Sequence, residues 1–255
     1  MAHDLAGTRV AFLVAPEGVE QAELTRPWDA VRDAGGEPVL VSTQPGQIQA
    51  YDHLDRADQF GVDITVEAAD PADFDALVLP GGVANPDQLR TRPDAVRFSR
   101  AFFDAGRPVA VICHGPWTLV EADAVRGRRI TSWPSVRTDL RNAGADWVDE
   151  EVVVDDSGPN TLISSRRPDD LEAFCAAIVT HVRPARDGGS TRSGGSTRSG
   201  GTTRPAGAGL RDGEAARQVA GQTSADRRAA DVLARESGGA TTDIEAARAG
   251  ADDLR

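Results

Sequence analysis

The 255-residue chain has no lysine: all 28 of its basic residues are arginine. That excludes Schiff-base chemistry and any other reaction in which a lysine amine is the nucleophile. Cysteine is almost as scarce. Cys113 and Cys175 could pair, but two cysteines are too few for the disulfide framework of a small secreted fold. No apolar run approaches the ~20 residues that span a bilayer, and Met1-Ala2-His3-Asp4 lacks the basic and apolar regions of a secretion signal. Positive charge is also short, since 28 basic against 40 acidic residues leaves a net charge of −12. A field of that sign repels phosphate backbones and anionic membranes. A cytoplasmic location is therefore expected, without membrane or nucleic-acid partners, and with neither a cofactor nor a metal.

The apolar residues that are present concentrate in residues 1–183, which read as one α/β domain. Beyond Arg183 the hexapeptide Gly-Gly-Ser-Thr-Arg-Ser runs twice, from Gly188 and from Gly194, and fades into Gly201-Thr202-Thr203-Arg204-Pro205. Such sequence cannot bury enough apolar area to offset the entropy of ordering it, so residues 184–206 read as a flexible linker. Residues 207–255, rich in Ala, Arg, Asp and Glu, read as a disordered tail with a weak helical stretch around Ala225 to Glu236. The arginine repeats lack the aromatic residues that would stack bases.

Within the first region, short continuous apolar runs mark strands covered on both faces: Arg9 to Val14, Pro38 to Ser42, Asp75 to Leu79 and Val109 to Ile112. Arg129 to Trp133, Val152 to Val154 and Thr161 to Ser165 read as further strands, and Ile48 to Val66 as a hairpin beside the main sheet. Helices are expected over Glu20 to Ala34, kinked or split at Pro27, and over Pro93 to Ala105, Pro116 to Ala122, Pro134 to Asn142 and Asp169 to Val182. In the last of these, Leu171, Phe174, Cys175, Ile178 and Val182 share one face, which makes Cys175 a core residue. Alternating strands and helices predict a mainly parallel sheet between helical layers, with sites at the carboxyl ends of strands. Cys113, Gly81-Gly82 and the Pro16–Glu20 loop all fall at such ends.

Cys113 is the candidate nucleophile. It ends an apolar strand and is followed at once by His114-Gly115-Pro116, where a helix start favours negative charge and draws a thiol toward ionisation. The alternative is a cysteine that only fills core space. Of the four histidines, His3, His53, His114 and His181, His114 is the credible acid–base residue. Adjacent side chains leaving a strand point apart unless the backbone bends sharply, so a direct contact between Cys113 and His114 is not expected, and another group should hold the sulfur. Glu20 is the choice: a partly buried carboxyl there would have a raised pKa and could donate to a thiolate. It could equally be a first-turn acid that serves the helix dipole. The amides of Gly82 and His114 are candidate oxyanion donors, although Gly81-Gly82 could be an ordinary turn.

The stretches Glu20-Gln21-Ala22-Glu23-Leu24, Phe74 to Gly82, Ile112-Cys113-His114-Gly115-Pro116, Val125-Arg126-Gly127-Arg128, Asn142 to Trp147 and Glu151 to Asp155 resemble the PfpI family, the peptidase-like branch of the superfamily of the parkinsonism-associated deglycase. They occur in the family's order, and the resemblance covers Arg9 to Val182. It implies a flavodoxin-like three-layer sandwich, Cys113 as nucleophile on a strained elbow, and Glu20 bonded to the sulfur. It also implies a homo-oligomer, whether dimer, trimer or hexamer, in which an acid from a neighbouring subunit orients the histidine. Asp87, in Pro86-Asp87-Gln88-Leu89-Arg90, takes that position here, and its alternative is a solvated loop acid. Glutamine amidotransferases share the elbow but need a downstream His with a Glu nearby; only His181 follows His114, beside Thr180 and Val182. Three activities stay open. One is a stress-related hydrolase of reactive dicarbonyls or of glycated proteins and peptides. The second is a cysteine peptidase with a Cys113-His114-Asp87 site shared between subunits. The third is a non-enzymatic redox sensor or chaperone in which Cys113 is oxidised.

Overall fold

In the computed structural model, which describes residues 5–182, the apolar runs become strands laid side by side. Along the chain the elements are β1 (Arg9–Val14), β2 (Glu17–Glu20), α1 (Gln21–Asp33), β3 (Glu37–Ser42), β4 (Gln47–Asp52), β5 (Asp55–Gly61), β6 (Ile64–Thr65) and β7 (Ala76–Leu79). They continue as α2 (Ala84–Arg90), α3 (Pro93–Asp104), β8 (Val109–Ile112), α4 (Pro116–Glu121), β9 (Arg129–Ile130), α5 (Arg137–Asn142), β10 (Asp146–Trp147), β11 (Val152–Asp155), β12 (Leu162–Ser165) and α6 (Leu171–His181).

Seven strands form the main sheet in the order β11-β12-β8-β7-β1-β3-β6. All neighbours are parallel except β11, which pairs antiparallel with β12. Alternate residues of the central strands face opposite layers, as the two-residue period of a strand requires. Ala11, Leu13, Leu77, Leu79, Val109 and Val111 pack with Leu89, Phe98, Phe102, Leu119 and Leu140 from α2 to α5. Val10, Phe12, Val78, Ala110, Ile112 and Ile163 pack with Leu24 and Val31 of α1 and with Phe174 and Ile178 of α6. The expected three-layer sandwich is therefore observed. Because β1, β7 and β8 are parallel neighbours, their carboxyl ends meet, and the Pro16–Glu20, Gly81-Gly82 and Cys113 segments are brought to one place.

Several elements differ from the sequence reading. Helix α1 runs unbroken through Pro27, which is buried with Glu23, Leu24 and Val31 on the face turned to the sheet; that packing outweighs the lost backbone bond. The Pro16–Glu20 loop contains strand β2, which joins β4 and β5 in a small three-stranded sheet. Of the strand expected over Arg129 to Trp133, only β9 forms, and it pairs with β10 outside the main sheet. The rest of that segment leaves the ladder because the Trp133 N–H donates to the Cys113 carbonyl at 2.9 Å. Cys175 is only half-buried at the edge of its helix face, and both cysteines are free. Arg128 and Asp155, both in stretches that carry the resemblance, form a buried ion pair at 2.6 Å. Arg128 also donates to the side chain and carbonyl of Asn160. The linker over 184–206 and the tail over 207–255 lie outside the described residues.

Candidate active site

Strand β8 ends at Ile112, and the next residue, Cys113, takes φ = 61°, a left-handed conformation that non-glycine residues rarely adopt. The bend starts α4 three residues later. Gly115 is required inside it, because a Cβ there would stand 2.7 Å from the Leu79 carbonyl oxygen and 2.9 Å from that of Ile112. The same bend corrects the expectation that Cys113 and His114 point apart: it swings the imidazole back over the sulfur, with Nδ1 3.3 Å from Sγ.

A second correction concerns the acid. The carboxyl hydrogen-bonded to the Cys113 thiol belongs to Glu23, and its Oε2 also accepts the Gly81 N–H at 2.8 Å. Glu20 is the last residue of β2, immediately before α1, whereas Glu23 falls in the first turn and on the buried face, where it is fully enclosed. Glu20 stays at the pocket wall, and its Oε2 accepts the His53 N–H at 3.0 Å. The sequence signal for Glu23 was available: residues 23, 24, 27 and 31 follow the helical period of a sheet-facing stripe.

The backbone N–H groups of Gly82 and His114 both face the sulfur. Gly82 has φ = 78°, and a Cβ on it would collide with the Gly18 carbonyl. Asn85, fully buried, fastens this wall: its Oδ1 accepts the Ala15 N–H at 2.7 Å, and its Nδ2 donates to the carbonyls of Pro80 and Gly81.

Burial dominates the electrostatics. It pushes the Glu23 carboxyl from 4.5 up to about 8, against the opposing effects of the Cys113 and Gly81 hydrogen bonds. Burial, and then the negative charge that Glu23 would carry, push the Cys113 thiol up as well; the His114 and Gly82 amides pull the other way without prevailing. Burial thus drives both members of the pair toward their protonated forms. It opposes the thiolate that a helix start favours, and α4 spans only six residues. Burial lowers the His114 pKa, so its ring is a neutral imidazole at neutral pH. That ring lies near two indoles, Trp117 with centroids 5.3 Å apart and Trp133 at 5.8 Å with planes 27° apart, while its Nε2 is 3.3 Å from Ser135 Oγ.

These groups line a cavity of about 280 Å³ bounded by Glu20, Glu23, His53, Gly82, Cys113 and His114, with the exposed apolar side chains Leu54, Val83 and Trp133 around it. A larger cleft of about 360 Å³, lined by Leu24, Trp28, Leu40 and Phe60, contains no cysteine or histidine. Glu20, Asp52 and His53 form the one described group of three whose donor atoms, all within 4.8 Å of each other, could surround a cation. His53 Nδ1 already pairs with the Asp52 carboxylate at 2.9 Å, a contact that raises the His53 pKa. Asp87 sits in the first turn of α2, exposed, and lines a separate surface hollow with Arg90, Arg97 and Glu121. The fold does not bring it to His114 within one chain. His181 ends α6, and His3 lies outside the described residues. Sequence reading missed Glu23, Asn85, Trp133 and Ser135 as parts of this site.

A cysteine presented on a left-handed elbow, at the carboxyl end of a parallel sheet and beside a buried acid, defines a class of α/β proteins built around a strand-to-helix thiol. The chain belongs to one family of that class, the DJ-1/PfpI family, whose model matches residues 8–181. It is 41% identical over 166 residues to protein/nucleic acid deglycase 2 of Escherichia coli, covering 65% of this chain and 92% of that one. A deglycase of Pyrococcus horikoshii is 42% identical over 171 residues, covering 67% and 97%. A putative cysteine protease of Bacillus subtilis is 39% identical over 166 residues, covering 65% and 93%. Among solved structures, a two-domain protein of Anabaena variabilis with DJ-1/ThiJ/PfpI-like and ferritin-like domains superposes with a TM-score of 0.63 at 34% identity. The match covers 72% of this chain and about half, 52%, of that one. No described helix is long and apolar enough to cross a membrane.

Proposed function

We propose that the chain is a cysteine-dependent hydrolase of reactive 1,2-dicarbonyls or of their early adducts on proteins, with Cys113 as nucleophile. One observation carries this reading: the Cys113 sulfur borders an open cavity between the His114 imidazole, at 3.3 Å, and the buried Glu23 carboxyl, which burial drives toward its protonated form. Such a site can add a thiol to an aldehyde and move protons among the oxygens that result. The identity of about 41% to proteins named deglycases supports the same reaction class.

For methylglyoxal the steps balance without any outside oxidant. The Cys113 sulfur bonds to the aldehyde carbon, and the thiol proton passes to His114 Nδ1 and from there to the aldehyde oxygen, which gives a hemithioacetal and leaves the imidazole neutral and Glu23 protonated. His114 then takes the proton from that carbon and returns it to the neighbouring carbon, while the hydroxyl proton passes to Glu23 as Glu23 gives its own to the ketone oxygen, so that the ketone becomes an alcohol and the first carbon a thioester. Water adds to the thioester, the carbon–sulfur bond breaks, sulfur regains its proton, and lactate leaves. The Gly82 and His114 amides face the sulfur and are proposed as donors to the oxygen that becomes negative on the adjacent carbon. Glu20 serves as a wall of the pocket that anchors His53.

The test is lactate formation from methylglyoxal by the full chain and by Cys113→Ala. Wild type is expected to turn over and the variant to fall to the buffer rate; equal slow rates in both would overturn the proposal. A second reading, favoured by the relative named as a putative cysteine protease, is a peptidase in which Asp87 of one subunit orients His114 of another. Cleavage of casein by an assembled oligomer, lost in Asp87→Asn, would support it.

A further inference from the structure

We propose that Ser135 is a positioning residue for His114: its hydroxyl fixes the imidazole in the form that leaves the Nδ1 lone pair free to take the Cys113 proton. This inference rests on the role given to His114 above. A neutral imidazole has one N–H, and the nitrogen that bears it decides what the other can do. Here Nδ1 faces the sulfur at 3.3 Å and Nε2 faces Ser135 Oγ at 3.3 Å. Among the described residues these are the two hydrogen-bond partners of the ring. With the hydrogen on Nδ1, it would point at a sulfur that already faces the Gly82 and His114 amide hydrogens, and Nε2 would be left to accept. With the hydrogen on Nε2, the serine oxygen accepts it, and Nδ1 presents a lone pair to the thiol.

The choice of a hydroxyl matters. A carboxylate at the same place would favour the imidazolium and raise the pKa, as Asp52 does for the exposed His53. Ser135 sets the orientation without adding charge, so the low pKa that burial imposes on His114 is preserved. The serine is held in register by its own segment. The Trp133 N–H donates to the Cys113 carbonyl at 2.9 Å, the Val136 N–H closes a turn onto the Trp133 carbonyl at 3.0 Å, and Trp147 Nε1 donates to Ser132 Oγ at 2.9 Å. The Trp133 ring lies along the imidazole and restricts its rotation. Cys113, His114 and Ser135 thus line up as a proton-handling relay.

The test uses the full chain and its Ser135→Ala, Ser135→Thr and Cys113→Ala variants. Lactate formation from methylglyoxal is followed from about pH 5 to about pH 9, and the His114 tautomer is read by long-range ¹H–¹⁵N correlation. Ser135→Ala is expected to lower kcat roughly tenfold, part of what a general base contributes, with KM nearly unchanged and the acid limb of the pH profile displaced. Ser135→Thr, which restores a hydroxyl, should recover most of the rate. Wild type should show His114 protonated at Nε2, and Ser135→Ala a mixture of tautomers. A Ser135→Ala enzyme with wild-type kcat and pH profile, or a wild-type ring protonated at Nδ1, would overturn the inference. If Cys113→Ala abolishes turnover while Ser135→Ala does not affect it, this inference alone fails. If Cys113→Ala is as active as wild type, it is the broader reading that fails.

Discussion

At neutral pH Glu23 holds a proton that an ordinary glutamate would have lost, and folding takes on a pH dependence from that one group. Its value in the folded chain, about 8, lies above the ordinary 4.5, so the folded state binds the proton more tightly than the unfolded state. The stabilisation from this group is therefore complete below about pH 4.5, falls as pH rises, and is gone above about pH 8. Glu23→Gln has no such titration. Its melting temperature at about pH 7 is expected to exceed that of wild type by several degrees, corresponding to about 3 kcal/mol, and the difference should vanish near pH 4. Parallel melting curves across that range, by calorimetry, would contradict a protonated Glu23. The same residue shows what was legible in the sequence. Cys113, His114 and the Gly82 amide were readable from a strand that stops on a thiol. The choice between Glu20 and Glu23 was legible only in part: the period of residues 23, 24, 27 and 31 marks the buried face of α1, but that Glu20 falls outside the helix depends on β2, which exists only through its pairing with β4. The left-handed Cys113 was hidden, since nothing in a cysteine's chemistry announces a conformation that glycine usually supplies.

At the scale of elements, the site is a junction of three loops pressed together, and Gly81 is its tightest point. A Cβ at Gly81 would stand 2.5 Å from Glu23 Oε2, 2.6 Å from Cys113 Cβ and 3.0 Å from the His114 amide nitrogen. None of these can retreat without moving the nucleophile, its acid or the elbow backbone. Gly81→Ala is expected to reduce lactate formation by at least ~100-fold and to cost about 1–3 kcal/mol in urea unfolding; a variant with wild-type activity would show that the junction is looser than this geometry. Most strands and helices were legible because both sheet faces are covered, which makes the central strands continuous apolar runs. Helix α2 was not, since its seven residues include Pro86, and its inward face depends on Asn85 bonding to two neighbouring loops. The segment after β9 was misread as strand for a related reason. Its backbone bonds go to the elbow and to its own turn, a tertiary outcome that no local pattern encodes.

For the whole molecule, the question is whether one chain suffices. With Ser135 on His114 Nε2, turnover per chain is expected to be independent of protein concentration, and Asp87→Asn to retain kcat within about twofold. Sedimentation run beside the dicarbonyl assay checks both. A rate that collapses as the assembly dissociates, together with a large loss in Asp87→Asn, would favour the shared peptidase site instead. The sheet order, and with it the convergence of β1, β7 and β8 on a single rim, was legible as a general rule of parallel sheets.

Two of the four tryptophans in the chain lie against the same imidazole. Their emission therefore samples the ring directly, so that a change in its charge, or a molecule seated beside Cys113, alters light already coming from the protein. The site carries a built-in optical probe, and occupancy can be followed without attaching any label.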